Sequence, residues 1–249
     1  MIELFDTHAH FEGSQAETLA ALERAREAGV TRILAVGGSE SLDAGALLAA
    51  KLGGGVNVNV ALGRDRDQYA QAWAPPAAEA VAVGEIGLDY HYDPEHRKEQ
   101  RELVSLQLEY ASQVGKPVVI HTRDADDDTL GILREIPSKG VIHCFTGTPR
   151  FCRELLDLGF MISISGIVTF RAADNVRESA LVVPDDRILI ETDSPFLAPV
   201  PMRGKANEPS FIVHTAKFLA ALRKTDFADF AALTFSNALE LFGLGEAVL

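Results

Sequence analysis

The chain has 249 residues, of which 47% are hydrophobic and 24% are charged, and it carries a net charge of −13. This composition is typical of a globular protein, and the length suits one domain of α/β-barrel size. The acidic excess argues against broad, nonspecific coating of nucleic acid, which depends on many Lys and Arg contacts to phosphates. A phosphate-bearing substrate stays possible, because bound divalent cations reverse the local field.

The absence of three sequence features bears on the cellular location: a secretory signal, a membrane span and a CxxC pair. The first ten residues contain no basic region followed by an apolar run, so no secretory signal is expected. No stretch reaches the roughly eighteen consecutive apolar residues of a membrane span. Cys144 and Cys152 belong to no CxxC pair, which favours two reduced thiols. We expect a cytoplasmic protein without a membrane partner, and no protein partner is predictable.

Short apolar runs rich in Val and Ile alternate with longer segments along the chain. The runs are residues 2–6, 32–37, 56–62, 80–86, 117–121, 140–145, 160–165 and 187–192. Each run is nearly continuous in apolar residues, as expected of parallel strands buried on both faces. Segments between them, among them 16–28, 95–114, 127–136 and 150–158, have the 3.6-residue periodicity of helices.

Strand–helix alternation predicts a parallel α/β fold, either an open doubly wound sheet or a closed barrel. Eight units in about 250 residues favour a single (β/α)8 TIM barrel over residues 1–249. No GxGxxG follows the first run, which removes the simplest dinucleotide-binding alternative. The third unit is irregular, since residues 65–76 are poor helix material.

Imidazole and carboxylate side chains recur at the ends of the predicted strands. The six are His8, His10, Glu85, His121, His143 and Asp193. A single His at a strand end is more often structural, and a single Asp there commonly caps the next helix. Six together at the carboxyl ends of barrel strands, where barrel active sites form, favour a metal site.

Four imidazoles and two carboxylates exceed one tetrahedral site, so we predict two divalent cations. Glu85 is the expected bridging ligand, because its carboxylate offers one oxygen to each ion. Asp193 binds one ion and accepts a proton from the attacking water, which makes Asp193 and Glu85 the predicted catalytic residues. Imidazole-rich ligation favours Zn²⁺ or Mn²⁺ over Mg²⁺, but does not settle which of the three serves.

Seven short motifs, with Asn237-Ala238 in the closing helix, resemble those of the TatD family of metal-dependent deoxyribonucleases in the amidohydrolase superfamily. They are DTHAH at 6–10, GEIGLD at 84–89, HTRDA at 121–125, HCFTG at 143–147, ISG at 164–166, ETDSPFL at 191–197 and RGKANEP at 203–209. The resemblance implies a barrel with the same six residues as ligands. It also implies nuclease activity, usually supported by Mg²⁺ and commonly exonucleolytic on single-stranded DNA.

Other residues of these motifs are candidates for contact with a substrate. The basic candidates are Arg123, Arg203 and Lys205. Asn207 and Glu208 are expected to brace their loop or the ligands. Phe145 and Phe196 follow ligand strands, and either stacking on a base or packing in the barrel suits them, with packing favoured.

The chain departs from the family after the third strand. The family usually has Gly-x-His-Pro with a substrate-facing histidine, whereas residues 63–66 are Gly-Arg-Asp-Arg and place Asp65 at the histidine position. Asp65 would repel a phosphodiester, unless Arg64 or Arg66 pairs with it or takes over phosphate binding. Alternatively, Asp65 coordinates a cation that itself binds the substrate.

Three functions are compatible with these residues. The leading hypothesis is a deoxyribonuclease-type phosphodiesterase with single-stranded DNA as its partner. The second is a hydrolase of another ester or amide, such as an aminoacyl ester on RNA or a small metabolite. The third is a degenerate barrel retained as a metal-binding interaction protein, against which the complete set of ligands argues.

Overall fold

A computed structural model describes residues 2–66, 68, 73 and 79–245. Eight parallel strands form one sheet in which each strand pairs with the next along the chain. They are β1 Leu4–Ala9, β2 Val30–Gly38, β3 Asn57–Arg64, β4 Ala82–Asp89, β5 Val118–Arg123, β6 Gly140–Ile142, β7 Met161–Ile164 and β8 Ile188–Ile190. A parallel bridge between Ala9 and Ser194 links the end of β1 to the segment after β8 and closes the barrel.

Eight α-helices lie within the described ranges. They are α1 Gln15–Glu27, α2 Glu40–Leu52, α3 Arg97–Val114, α4 Asp126–Glu135, α5 Pro149–Asp157, α6 Asp174–Val182, α7 Ile212–Arg223 and α8 Phe227–Phe242. The prediction of a (β/α)8 TIM barrel is therefore confirmed. Most of the irregular segment 65–76 lies outside the described residues. None of the helices seen in this part of the chain has both the length and the apolar character that a membrane span requires.

Local sequence signals account for several helix boundaries. Ser14 begins α1 with a capping box, in which its backbone N–H donates to Glu17 Oε2 at 2.8 Å and its hydroxyl accepts from the Glu17 backbone. Gly115 ends α3 with a φ of 68°, a left-handed conformation that costs glycine little. These signals fix where α1 begins and where α3 ends.

Every strand contributes to an apolar cluster inside the barrel. Its strand members are Phe5, Leu34, Val36, Ala61, Ala82, Val119, Val141, Met161 and Leu189. Helix α8 covers this cluster with Ala238, Leu241 and Phe242, and the rings of Phe5 and Phe242 lie 6.1 Å apart. The inside of the barrel is thus filled with side chains, and the carboxyl ends of the strands are left for the polar residues.

Two strands end earlier than predicted. β6 and β8 stop at Ile142 and Ile190, whereas the apolar runs continue to residues 145 and 192. Cys144 and Asp193 have φ values of 44° and 58°, which interrupt the extended backbone. His143 and Asp193 therefore lie just beyond their strands rather than within them.

Candidate metal centre

Four side chains meet beside the closing edge of the barrel and form what we call the first ligand group: His8, His10, Asp193 and the Oε2 atom of Glu85. The Nε2 atoms of His8 and His10 lie 3.1 Å apart, and each is 3.5 Å from Glu85 Oε2. Asp193 Oδ1 lies 3.9 Å from His8 Nε2 and 3.8 Å from His10 Nε2. The four donor atoms thus face one common point.

The second ligand group consists of His121, His143 and the Oε1 atom of Glu85. His121 Nδ1 lies 3.2 Å from Glu85 Oε1, and His143 Nε2 lies 3.1 Å from the same oxygen. The two ring nitrogens are 3.2 Å apart. The structure therefore brings all six predicted residues together and divides the oxygens of Glu85 between two groups.

The outer nitrogens of three of the four imidazoles face oxygen atoms, whereas His8 Nδ1 is buried with no hydrogen-bond partner among the described residues. The backbone carbonyl of Val36 lies 2.9 Å from His10 Nδ1 and can only accept, so this nitrogen carries the proton. His121 Nε2 lies 3.1 Å from Asp89 Oδ2, and His143 Nδ1 lies 3.3 Å from Glu191 Oε1. When the outer nitrogens are protonated, the inner nitrogens direct their lone pairs into the centre.

This donor set fits divalent cations. Lone pairs and carboxylate oxygens that converge at 3.1–3.9 Å repel one another unless a cation or shared protons lie between them. Each ligand group contains imidazole nitrogen and carboxylate oxygen, which are ligands for zinc and manganese. His8, His10 and Glu85 would hold one ion with Asp193, and Glu85, His121 and His143 would hold another.

The charges of the centre shift the pKa values of its members. Burial would raise the pKa of Glu85, but His143, His121 and His8 outweigh burial and hold that pKa well below its usual range. Burial opposes charging of His143 as well, yet Glu85 and Glu191 raise its pKa well above the usual value. Burial and the charge of His143 lower the pKa of His8 to about 4. The metal-free centre thus holds its own counter-charges.

Burial raises the pKa of Asp193 to about 6. The charges of His143 and His10 oppose this rise, whereas those of Glu191 and Glu85 add to it. The metal-free centre therefore favours the protonated form of Asp193 more than water does.

Three buried acids support the centre, and the sequence analysis missed this role. Asp89 and Glu191 lie behind the imidazoles of His121 and His143 as described above. Asp6 accepts from the Thr192 backbone N–H at 2.9 Å and from the Thr192 hydroxyl at 2.6 Å, which ties β1 to the segment after β8. Each acid belongs to a motif that also carries a ligand, and this shared motif was the available signal.

Glu191 lies close to one imidazole of each ligand group. It accepts a hydrogen bond from the backbone N–H of Cys144 at 2.7 Å. His8, His143 and Glu191 also have ligand atoms within 4.8 Å of one another. Glu191 is completely buried behind the two rings, so we interpret this cluster as support for the imidazoles rather than as a further metal site.

The basic residues predicted to bind substrate lie around the mouth of the barrel. The Arg123 guanidinium lies over the Tyr92 ring at 4.8 Å, and that of Arg203 lies over the Phe170 ring at 3.9 Å. Lys205 is exposed. Among the described hydrogen bonds and ion pairs, none joins Arg123, Arg203 or Lys205 to the six predicted ligands. Their substrate role remains a prediction.

The segment that departs from the family reaches the centre through Arg66. Asp65 pairs with Arg66, whose Nη1 lies 3.5 Å from Glu85 Oε1 and whose Nε lies 3.3 Å from Asp89 Oδ2. Arg64 turns to Asp43 instead, at 2.5 Å. This geometry favours pairing of Asp65 with an arginine over its use as a ligand.

The two phenylalanines occupy different environments. Phe145 is 2% exposed and packs on Phe151, so it belongs to the core. Phe196 is 54% exposed, and its ring lies 6.4 Å from that of His10. Asn207 donates to the backbone carbonyls of Thr192 and Phe196 at 2.8 and 2.6 Å and so fixes the loop that carries Phe196 beside the mouth.

Comparisons with known proteins agree over nearly the whole chain. The family model described as TatD related DNase matches residues 5–243. The uncharacterized metal-dependent hydrolase YabD of Bacillus subtilis is 37% identical, over 96% of this chain and 98% of its own. The corresponding values for the uncharacterized metal-dependent hydrolase TatD of Mycobacterium tuberculosis are 34%, 97% and 98%.

Solved structures agree with this assignment. The crystal structure of YjjV, a TatD homologue from Escherichia coli, has a TM-score of 0.87 and 27% identity, and the match covers 97% of this chain and 98% of that one. A TatD-family hydrolase from Entamoeba histolytica has a TM-score of 0.85 at 18% identity, covering 97% and 98% of the two chains, which supports the fold alone. The chain therefore belongs to the TatD family of metal-dependent hydrolases.

Proposed function

We propose that the protein is a phosphodiesterase that holds two divalent cations and removes nucleotides from single-stranded DNA. The observation that carries the proposal is the division of Glu85, whose Oε2 faces the first ligand group and whose Oε1 faces the second. Paired cations of this kind serve the displacement of one oxygen by another at phosphorus. The two unpaired cysteines are compatible with a cytoplasmic location, which is part of the proposal.

The chemistry divides between the ions and the side chains. The cations supply acidification of a water molecule and polarisation of the scissile phosphate. Asp193 belongs to the first ligand group, and its carboxylate accepts the proton that the attacking water loses. Glu85 holds the two groups at a fixed distance because each contains one of its oxygens. Asp89 and Glu191 keep the imidazoles of the second group oriented.

The surroundings of the centre suit a flexible, single-stranded substrate. Phe196 presents an exposed ring next to His10, on which a base can stack. Arg123, Arg203 and Lys205 lie around the mouth, where they can meet phosphates. With a net charge of −13 on the whole chain, DNA binding then depends on this mouth and on the cations. The activity named in the matching family description is of the same kind.

A second candidate is hydrolysis of an uncharged ester or amide. Asp65 is a mostly buried carboxyl group beside Glu85, and its negative charge disfavours an approaching phosphodiester. Its pairing with Arg66 offsets that charge, which is why we place the phosphodiesterase first.

The experiment compares substrates on one preparation. Protein stripped with a chelator is reloaded with Mg²⁺, Mn²⁺ or Zn²⁺ and incubated with end-labelled single-stranded DNA, the same DNA as a duplex, aminoacylated RNA and p-nitrophenyl acetate. We expect a ladder of shortened single strands, slower loss of the duplex and about two ions per chain after saturation. Ester hydrolysis without any DNA product would select the second candidate. Full activity with one bound ion would contradict the bridging role of Glu85.

A further inference from the structure

Arg66 is the guanidinium group that reaches the centre. Its Nη1 lies 3.5 Å from Glu85 Oε1, the oxygen that the second ligand group shares. Its Nε lies 3.3 Å from Asp89 Oδ2, the same oxygen that faces His121 Nε2 at 3.1 Å. Among the ion pairs of residues 2–66 and 79–245, Arg66 provides the only Lys or Arg side chain that contacts one of the six predicted ligands.

The two ligand groups therefore differ in their electrostatic surroundings. Near the second group, the positive charge of Arg66 already interacts with Glu85 and Asp89, the two carboxylates that would stabilise a cation there. In the first group, Glu85 Oε2 and Asp193 face imidazoles, and the described residues place no guanidinium on either oxygen. A divalent ion entering the second group must displace Arg66 or remain beside it, and both lower its affinity.

We propose that Arg66 is a built-in counter-cation of the second ligand group, which makes the two divalent cations bind with unequal affinity, the second more weakly. The inference rests on the proposed two-cation centre. Arg66 affects how tightly the second cation binds, and it positions no reacting atom. Asp65 weakens this effect of Arg66, because its pairing with Arg66 offsets part of the guanidinium charge.

The test measures binding of Mn²⁺ alone to chelator-stripped protein by titration calorimetry, with free Mn²⁺ confirmed by electron paramagnetic resonance. Arg66→Gln removes the charge and keeps polar bulk, so the second dissociation constant should fall by at least about tenfold while the first changes little. Arg66→Lys retains the charge and should resemble the unsubstituted protein. Arg64→Gln is the matched control, since Arg64 pairs with Asp43 and no ion pair among the described residues joins it to the six predicted ligands.

Asp65→Asn provides a test of opposite sign. It removes the charge of Asp65 from Arg66, so more of the guanidinium charge acts on the second ligand group and the second ion should bind more weakly. Thermal unfolding gives an independent readout. In chelator, Arg66→Gln should melt below the unsubstituted protein, because Glu85 and Asp89 lose their counter-charge. In saturating Mn²⁺ the variant should show the larger rise in Tm.

The outcomes separate this inference from the proposed function. If Arg66→Gln leaves the second dissociation constant unchanged or raises it, Arg66 is not a counter-cation, although two ions still bind. If the Lys variant behaves like the Gln variant, the effect does not come from charge and the inference is wrong. If the unsubstituted protein and every variant bind a single Mn²⁺, the two-cation centre itself fails. Should Arg66→Gln not fold, Arg66→Lys and Asp65→Asn decide the question.

Discussion

The two ligand groups share Glu85 but are held in place by different kinds of atoms. In the first group, His10 donates to the backbone carbonyl of Val36, and the backbone N–H of Asp193 donates to the carbonyl of His8 at 2.9 Å. In the second, the imidazoles of His121 and His143 lie against the carboxylates of Asp89 and Glu191.

This difference separates what the barrel fixes from what side chains adjust. The atoms that orient the first group are backbone atoms of β1, β2 and the segment after β8, so no substitution of Val36 removes its carbonyl oxygen. The atoms that orient the second group are carboxylates, which single substitutions can neutralise. We therefore expect the metal affinity of the first group to depend mainly on the backbone of the barrel. The metal affinity of the second group should depend on individual side chains.

The largest expected effect comes from Asp193, which belongs to the first group. Asp193→Asn preserves the shape of the side chain but removes its ability to accept a proton. Turnover on single-stranded DNA should fall by about 10²- to 10⁴-fold, the range typical of a lost general base. The measurement is the single-turnover rate with saturating Mn²⁺, with bound metal quantified in the same sample.

A matched control is Asp126→Asn, because Asp126 begins α4 and contacts none of the six ligands in the described structure. It should retain turnover. If Asp193→Asn is folded and metal-loaded but retains normal turnover, another group accepts the proton.

The same substitution should have the opposite effect on the stability of the metal-free protein. The pKa of Asp193 rises from 3.8 to about 6 on burial, so its favourable contribution is complete below about pH 3.8 and is lost as the pH rises through 6. Asparagine does not titrate. In chelator, Asp193→Asn should gain stability over the unsubstituted protein between pH 4 and 7, by up to about 3 kcal/mol.

Urea unfolding at a series of pH values provides the measurement. Saturating Mn²⁺ should reverse the order of stability, because the ion binds the folded carboxylate form. An advantage of the variant that is the same at pH 4 and pH 7 would rule out titration of Asp193 as its cause.

An intermediate effect is expected at Asp89, which supports the second group alone. Asp89→Asn weakens the acceptor facing His121 Nε2 and removes a charge next to Arg66. The second Mn²⁺ should bind about 10- to 100-fold more weakly, the usual cost of losing a partner behind a metal ligand. The first ion should bind as before. Equal weakening of both ions in calorimetry would contradict the division into two groups.

The barrel and the six residues could be predicted from the sequence because short sequence patterns indicate both of them. Apolar runs identify the strands, and side chains at the carboxyl ends of barrel strands converge whatever the length of the helices between them. The early ends of β6 and β8 were missed, since the apolar runs continue beyond Ile142 and Ile190 to residues 145 and 192.

The supporting contacts could not be predicted because they depend on pairing between distant segments. Nothing in the sequence around Asp89 indicates that its carboxylate lies against His121 and Arg66. The same holds for Arg64 and Arg66, which flank Asp65 symmetrically in sequence yet turn to Asp43 and to the metal centre, respectively.

The smallest expected effect concerns the loop that follows β8. This loop contains Asp193, a member of the first group. Arg24 on α1 donates from Nε and Nη2 to both oxygens of Glu208, the shortest contact being 2.6 Å. This pair ties the loop to a helix, and it holds the pKa of Glu208 below its usual value against the effect of burial. The Arg24 side chain is 50% exposed, so water and salt screen much of the interaction.

Arg24→Gln should therefore lower the free energy of unfolding by no more than about 1 kcal/mol, and the loss should shrink in 1 M salt. Because the first group is fixed chiefly by backbone hydrogen bonds, affinity for the first Mn²⁺ should change by less than about threefold. Arg150→Gln is a suitable control, since Arg150 is 88% exposed and pairs with Glu154 on its own helix. A large loss of first-ion affinity in Arg24→Gln alone would mean that side chains hold the first group as well, and the contrast between the two groups would disappear.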